Sequence, residues 1–238
     1  MKIIHKYNRL YGGILLRRYR RFLVDIRLDD GREITAFTPN SGSMRTCSDP
    51  GSPAMLSYDP KPGRVTEFTL EMVRSGGTWV GVNTLLANTL GANIIDAGLT
   101  DHPDLEGFTV AKKEVIFEDS RLDLLASNGS KNCYVEVKNV TYRVNGLASF
   151  PDAVTTRGKK HLETLIRASL SGTMACTLFI VQRSDCMSFT TARDIDPKYA
   201  EAFKRAAKTG VIIIPSLLHV EPAGIFFKEI LPLAEAGD

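Results

Sequence analysis

The distribution of apolar residues changes near residue 82, and this change most restricts the folds that the chain can adopt. Before it, β-forming residues occur in short runs separated by turn residues. Five runs within about 70 residues are typical of a small β-barrel or sandwich. Asp29-Asp30-Gly31 predicts a hairpin turn between the first two runs. The runs are 14–28, 33–38, 53–58, 64–74 and 78–82.

After residue 82, helical patterns alternate with strand patterns. Asn83 can cap a helix over 84–97, and Gly98 can end it. Two further helices are predicted, over 156–171 and 197–209. Strands are predicted near 108–118, 121–126, 132–140, 174–182 and 211–217. We therefore expect an α/β (α+β) protein with two domains, 1–82 and 83–238.

The composition excludes several classes of protein. Hydrophobic residues make up 43% of the chain, which is too many for a disordered protein. No stretch approaches the ~18 uninterrupted apolar residues of a membrane span, and the N-terminus lacks the apolar region of a secretion signal. The four cysteines form no CxxC pair, which favours free thiols in a reducing compartment. We expect a cytoplasmic protein that does not bind membranes.

Positive charge is concentrated in residues 1–24, which carry seven basic residues and no acidic one, although the net charge of the chain is only +3. Such a local excess can attract phosphate groups. If 14–28 forms one strand, its side chains alternate between two faces. These faces would carry Arg18, Arg20 and Phe22, and Arg17, Tyr19 and Arg21. The four arginines are candidate nucleic-acid contacts, and a solvated edge strand protected by its charges is the alternative.

A second hairpin carries the residues with the clearest chemistry. Asn128-Gly129 predicts a tight turn between the strands that contain Asp123 and Glu136. Glu136 and Lys138 are two residues apart, so they lie on the same strand face, and the hairpin can bring Asp123 alongside. Two carboxylates and a backbone carbonyl, that of Val137, are suitable ligands for Mg²⁺ or Mn²⁺. A nearby lysine could hold the attacking water, as in a metal-dependent nuclease. The same residues would also fit an exposed Glu–Lys ion pair, worth under ~1 kcal/mol.

The predicted helix over 156–171 begins directly after this region. Arg157, Lys159 and Lys160 lie in its first turns. Because a helix N-terminus with basic side chains is a natural phosphate site, these three residues are further candidate DNA contacts. Alternatively, Asp152 and Thr155 cap the helix and the basic side chains are only solvated.

The motifs together resemble the sugar fermentation stimulation protein A family along nearly the whole chain. The resemblance is carried, in order, by RYRRFLVD (18–25), PNSGSM (39–44), VNTL (82–85), SRLD (120–123), YVEVK (134–138), FPDAVT (150–155), RG (157–158), KHL (160–162), ARDID (192–196) and YA (199–200). It implies an N-terminal OB-fold-like β-barrel joined to a PD-(D/E)xK nuclease-like mixed α/β domain. It also implies a DNA-binding protein linked to the regulation of sugar-utilisation genes.

The resemblance assigns the PD-(D/E)xK residues to Asp123, Glu136 and Lys138. It also implies a further carboxylate from an earlier element, for which Glu114 is the candidate. Leu122 stands where the motif has proline.

Three functions are compatible with these observations. The first is a DNA-binding protein with a divalent-metal nuclease-like core, and hence a metal-dependent phosphodiesterase. The second is a non-catalytic DNA-binding regulator of sugar-utilisation genes, and the third is a small-molecule or carbohydrate-binding module. The chain has no helix-turn-helix signature, so we expect DNA binding without sequence specificity. A homo-oligomer is compatible with the sequence.

Overall fold

The computed structural model describes residues 1–60, 63 and 65–234. Arg64, the first residue of one predicted strand, and residues 235–238 of the predicted second domain lie outside the described residues. The strands are β1 (Lys2–His5), β2 (Leu10–Tyr19), β3 (Leu23–Leu28), β4 (Glu33–Phe37), β5 (Pro53–Tyr58), β6 (Phe68–Ser75), β7 (Thr78–Gly81), β8 (Thr109–Phe117), β9 (Ser120–Ser127), β10 (Asn132–Val140), β11 (Arg143–Val144), β12 (Leu147–Phe150), β13 (Met174–Val181), β14 (Ser188–Thr191), β15 (Ile212–Glu221) and β16 (Gly224–Ile230). The α-helices are α1 (Ala87–Asp96), α2 (Thr156–Leu170) and α3 (Pro197–Lys208), and short 3₁₀ turns cover Thr84–Leu86 and Pro103–Leu105.

Strands β2 to β6 form a closed five-stranded barrel. β2 pairs with both β3 and β5, and a parallel contact between Phe37 and Thr69 joins β4 to β6 and closes the ring. Alternate residues of these strands point inward, among them Leu15, Ile26 and Leu56, which are fully buried. The predicted N-terminal OB-fold barrel is therefore confirmed.

The prediction of one strand over 14–28 is wrong. The chain turns at Arg20 and Arg21, which have φ angles of 46° and 64°, and Phe22 N donates a 2.7 Å hydrogen bond to Arg20 O. β2 therefore ends at Tyr19 and β3 begins at Leu23. The expected alternation of the arginines between two faces does not occur, because residues 20–22 form the turn itself.

Arg18, one of the candidate DNA contacts, binds four backbone carbonyls of the barrel. Its Nη2 donates to Arg21 O at 2.8 Å, to Asn40 O at 2.8 Å and to Gly42 O at 2.9 Å, and its Nη1 donates to Ser43 O at 3.0 Å. The guanidinium thus ties the 20–22 turn to the 40–43 loop. Whether Arg18 also contacts DNA stays a prediction.

The second domain is built on a seven-stranded mixed sheet in the order β1-β16-β15-β13-β10-β9-β8. Its centre is parallel, since β13 pairs in parallel with both β10 and β15. Helix α1 packs on one face through Leu90 and Ile94. Helices α2 and α3 cover the other face, through Leu165 and Tyr199 among others. A small sheet of β11, β12 and β14 lies beside this core. The mixed α/β architecture is confirmed.

Strand β1 departs from the predicted grouping of residues 1–82. It pairs with β16 of the larger sheet, with Lys2 opposite Phe227, and Ile4 is buried in the core beneath α1. The basic residues of the first 24 positions are therefore divided between two sheets. The reason is that the apolar Ile4 completes the larger core, while the barrel is already closed by β2 to β6.

The two domains are joined by polar contacts. Asp152 Oδ2 accepts hydrogen bonds from Ser43 Oγ and Met44 N, both at 3.2 Å. A Cβ on Gly42 would lie 2.4 Å from the same oxygen, so glycine permits the close approach. The barrel loop 40–44 is thereby held against the segment that precedes α2.

All four cysteines are buried and free. Among the described residues, no helix has the length and apolar character needed to cross a bilayer.

We predict that Arg18→Gln lowers the free energy of unfolding by about 2–3 kcal/mol, because part-buried carbonyls lose a charged donor. Denaturant unfolding would measure this loss. Arg17→Gln is the matched control: the Arg17 guanidinium is exposed, pairs with Asp25 and lies over the Tyr19 ring, so the loss of stability should be much smaller. Equal stability of Arg18→Gln and the wild type would show that this guanidinium does not support the loop.

Candidate active site

A cleft of about 570 Å³ lies between the barrel and the mixed domain. The barrel contributes Arg21 and residues 40–42 to its wall. The opposite wall consists of the start of α1, the end of β10, and the segment that leads into α2. Asp123, Glu136 and Lys138 all line the cleft, so the structure brings together the three residues that the hairpin pattern singled out.

Asp123 lies where β9 and β10 separate. The regular pairing of these strands ends at Leu124 and Val135. Beyond that point the Asp123 side chain replaces the backbone acceptor, and Oδ2 accepts a 2.8 Å hydrogen bond from Val137 N. Its other oxygen, Oδ1, accepts a 2.9 Å bond from Asn88 Nδ2 of α1. The carboxylate is therefore fixed from both sides.

Glu136 is the most buried acidic group of the cleft, with a side chain only 3% exposed. Strand alternation directs Val135 and Val137 into the core beneath α1 and Glu136 toward α2. Its Oε1 accepts hydrogen bonds from Lys138 Nζ and pairs with His161 Nδ1. Its Oε2 is buried and has no partner in the described part of the chain.

The two carboxylates differ in pKa. Burial, and next the negative charge of Glu136, raise the pKa of Asp123 above its usual value. Burial also acts to raise the pKa of Glu136, but the hydrogen bond from His161 and the charge of Lys138 outweigh it, so this pKa is lowered. Glu136 is therefore ionised at neutral pH, and a negative Asp123 beside it is unfavourable without a further cation.

His161 is oriented by its neighbours on both sides. Arg157 Nε donates to His161 Nε2 at 3.5 Å, which leaves Nδ1 as the protonated nitrogen that faces Glu136. Thr155 caps α2 by accepting from Gly158 N at 3.0 Å, as in the alternative interpretation of this segment, and this sets the start of the helix. Asp152, the other cap in that interpretation, instead binds the barrel loop.

Further buried hydroxyl groups are found close to Glu136. Thr177 is opposite Glu136 in the parallel pair of β10 and β13, and its Oγ1 is buried without a partner among the described residues. The Tyr199 hydroxyl of α3 is also buried and unpartnered there. Burial, and next the charge of Glu136, raise its pKa well above the usual value, so Tyr199 is neutral. Unpaired polar atoms of this kind are rare in protein interiors and often mark functional sites.

The residues of the cleft fit a divalent cation. Asp123 and Glu136 supply hard oxygen ligands, and the unpartnered Oε2 of Glu136 lacks the positive partner that a buried carboxylate oxygen needs. No group of three or more His, Cys, Asp or Glu side chains with the arrangement of a metal site occurs in the described ranges. A cation here would thus rely on two carboxylates with backbone or water oxygens.

The structure does not bring Glu114 to this site. Its side chain is 66% exposed, it pairs with Arg121 at 3.8 Å, and it does not line the cleft. Its φ angle of 52° interrupts the regular course of β8. Asn88, which the sequence analysis missed, reaches Asp123 from α1 instead. An amide in the first turn of an apolar helix gives no functional signal in one sequence.

The candidate DNA contacts have different environments. Arg21 and Arg157 line the cleft, and Arg20 is exposed at the 20–22 turn. Lys160 pairs with Asp119 at 3.0 Å, and Arg17 pairs with Asp25 at 2.7 Å. Lys159 is partly exposed in the first turn of α2. The DNA contacts of all these side chains stay predictions.

Comparisons with known proteins agree with this architecture. The family described as "Sugar fermentation stimulation protein RE domain" matches residues 85–224, and the "SfsA N-terminal OB domain" matches residues 16–82. A sugar fermentation stimulation protein homolog from Geotalea uraniireducens is 45% identical over 217 residues, 91% of this chain and 93% of that protein. One from Brucella ovis is 45% identical over 229 residues, 95% of each chain. The structure of Pyrococcus furiosus SfsA in complex with Ca²⁺ matches with a TM-score of 0.89 at 29% identity, covering 98% of this chain and 100% of that one.

We predict that Asp123→Asn stabilises the metal-free protein at neutral pH. A raised folded-state pKa contributes stability that is present below the ordinary value of 3.8 and is lost as pH rises through the raised pKa. The wild type therefore carries a penalty at pH 7 that the amide lacks, while Asn88 can turn its own amide to accept the new donor. In EDTA, the variant should melt at a higher temperature than the wild type at pH 7, and the difference should shrink toward pH 4.

Asp49→Asn is the control, because Asp49 is an exposed carboxylate outside the cleft. A difference in melting temperature between Asp123→Asn and the wild type that stays constant with pH would contradict the assignment.

Proposed function

Because the chain belongs to the sugar fermentation stimulation protein family, we propose that it is a DNA-binding protein whose mixed domain hydrolyses phosphodiester bonds with a divalent cation. The observation that carries this proposal is the convergence of Asp123, Glu136 and Lys138 in one cleft with arginines at its wall. Their order and spacing follow the PD-(D/E)xK nuclease pattern, with Glu136-Val137-Lys138 as its second half.

Asp123 and Glu136 would hold the cation, with the Val137 carbonyl as a third ligand. The unpartnered Oε2 of Glu136 supports a cation at this position, since the cation would compensate the remaining negative charge of the carboxylate. The family relative from Pyrococcus furiosus was solved with Ca²⁺. Mg²⁺ and Mn²⁺ also take oxygen ligands, and we propose them as the working ions. When bound, the cation would neutralise charge on the phosphate and make water a better nucleophile.

The protein's own groups would position the reactants. Lys138 Nζ, held by Glu136 Oε1, can donate a second hydrogen bond to the attacking water or to a phosphate oxygen. His161 also contacts Oε1 of Glu136 and helps to keep this carboxylate in place. Arg21 and Arg157 line the cleft and can bind phosphates of the DNA strand.

Binding through phosphates fits the expectation of little sequence specificity. Phosphate contacts position a protein on DNA but carry no direct sequence information. The exposed arginines at the 20–22 turn and Arg157 supply such contacts from both domains. The arginines at the cleft support DNA as the partner over a carbohydrate. Binding of a carbohydrate would also not need the two carboxylates together with Lys138.

We predict that the wild-type protein cleaves DNA in the presence of Mg²⁺ or Mn²⁺ but not EDTA, and that Lys138→Ala abolishes cleavage while leaving DNA affinity nearly unchanged. DNA affinity should change little because Lys138 is largely buried in the cleft, with a side chain 12% exposed, and adds little to the electrostatic potential of the outer surface. Labelled single- and double-stranded oligonucleotides, resolved on gels, would measure cleavage.

Lys138→Met, which keeps the apolar part of the side chain, controls for packing, and calorimetric titration with Mn²⁺ tests the ion site separately. Heat of binding with the wild type and its loss in Asp123→Asn support the proposed ligands. DNA binding without cleavage of any substrate would instead favour the non-catalytic regulator of sugar-utilisation genes.

We predict that DNA affinity falls steeply with salt, with each phosphate contact contributing roughly 0.7–0.9 to the slope of log K against log salt concentration. Arg20→Glu with Arg21→Glu should weaken binding to all sequences and reduce that slope. Fluorescence anisotropy over a salt series would measure both.

The matched control is Arg27→Glu with Arg32→Glu, the same change of charge at exposed barrel arginines outside the cleft. Equal effects of the two double variants would mean that only net charge matters and that the 20–22 turn is not a DNA contact.

A further inference from the structure

The reactive groups of the cleft are recessed below the surface. The Glu136 and Lys138 side chains are 3% and 12% exposed. A phosphodiester must therefore enter the cleft to reach them. In a duplex each strand is held by base pairing and stacking, whereas an unpaired strand can bend its backbone into a narrow opening.

The size of the cleft also limits what can enter. A volume of about 570 Å³ lies within the range of small-ligand pockets, so the cleft takes a short piece of one strand and not a double helix. Its lining residues come from both domains and include the two carboxylates.

The barrel wall is held in place by internal bonds. Arg18 binds the carbonyls of Arg21, Asn40 and Gly42. Asp152 accepts from Ser43 and Met44 across the domain boundary. The 40–43 loop is therefore held both to the rest of the barrel and to the mixed domain, and it acts as a fixed boundary of the cleft.

The turn at the edge of this wall has an unusual backbone. Arg20 and Arg21 are consecutive non-glycine residues with positive φ, a conformation that costs of order 1–2 kcal/mol per residue. The turn presents Arg21 at the cleft and leaves the Phe22 ring 40% exposed beside Phe37, with ring centroids 6.2 Å apart. A cation next to an exposed aromatic ring is the combination that binds unpaired nucleotides.

We propose, on the basis of the function proposed above, that the substrate is an unpaired DNA strand that lies in the cleft between Arg21 and Arg157. These arginines bind phosphates on either side of the reacting one, and a base next to the cleft stacks on Phe22. Duplex DNA binds only outside the cleft, through exposed arginines that do not line it, such as Arg20.

Binding assays in EDTA test this without relying on cleavage. The probes are a labelled single strand, a blunt duplex of the same sequence and a duplex with an unpaired tail. We expect the single strand and the tailed duplex to bind at least tenfold more tightly than the blunt duplex at equal salt. Arg21→Ala, Arg157→Ala and Phe22→Ala should each weaken single-strand binding severalfold and leave blunt-duplex binding within twofold of the wild type.

Arg32→Ala is the control, an exposed barrel arginine that pairs with Asp30 and does not line the cleft. Thermal unfolding of each variant confirms that the fold is intact. Equal affinity for single strand and blunt duplex, or equal weakening of both by the three variants, would overturn this inference and leave the proposed function standing. Absence of binding to any DNA form would overturn the proposed function itself.

Discussion

The buried negative charge of Glu136 is the constraint around which the cleft is organised. Removing a carboxylate from water costs several kcal/mol unless the charge is compensated. Lys138 and His161 compensate this charge through Oε1. Both contacts depend on the residue at which α2 starts and on the alternation of side chains along β10. The unpartnered Oε2 leaves that compensation incomplete. Burial, and next the negative charge of Glu136, raise the pKa of Asp123. Without a cation, the cleft would hold two largely buried carboxylates whose charge is only partly compensated, and this supports the proposed cation site.

Arginines serve two different purposes in the barrel. The Arg18 guanidinium is held by backbone carbonyls, whereas Arg21 lies at the cleft with its side chain exposed. Both come from one basic run, and their difference arises only because the chain turns between Tyr19 and Leu23. A reversal of charge at Arg18 would therefore disturb the loop that forms the cleft wall, and its effect on DNA binding could not be attributed to a lost phosphate contact.

Local patterns were sufficient to predict the elements that depend on local interactions. The Asn128-Gly129 hairpin occurs as the sequence indicates, and Thr155 caps α2 as in one of the two interpretations of that segment. Asn83 also acts as a cap, but of the 3₁₀ turn Thr84–Leu86 that precedes α1 and not of an α-helix over 84–97. Each of these features is formed by residues a few positions apart. The turn at Arg20 and Arg21 contains no glycine or proline, and it is stabilised by Arg18 and by packing across the barrel, so no local signal marks it. Strand β1 and Asn88 were missed for a related reason: their partners, β16 and Asp123, are distant in sequence.

The start of α2 links the two domains to the chemistry of the cleft. Within ten residues, Asp152 binds the barrel loop, Thr155 caps the helix, Arg157 lines the cleft and His161 reaches Glu136. Each of these contacts fixes the position of the next along the same segment, since helix geometry sets the spacing between Arg157 and His161. The barrel wall and the carboxylate site are consequently held at fixed positions relative to each other. Because the cleft has walls from both domains, separating the domains would remove the cleft, even if each domain kept its own fold.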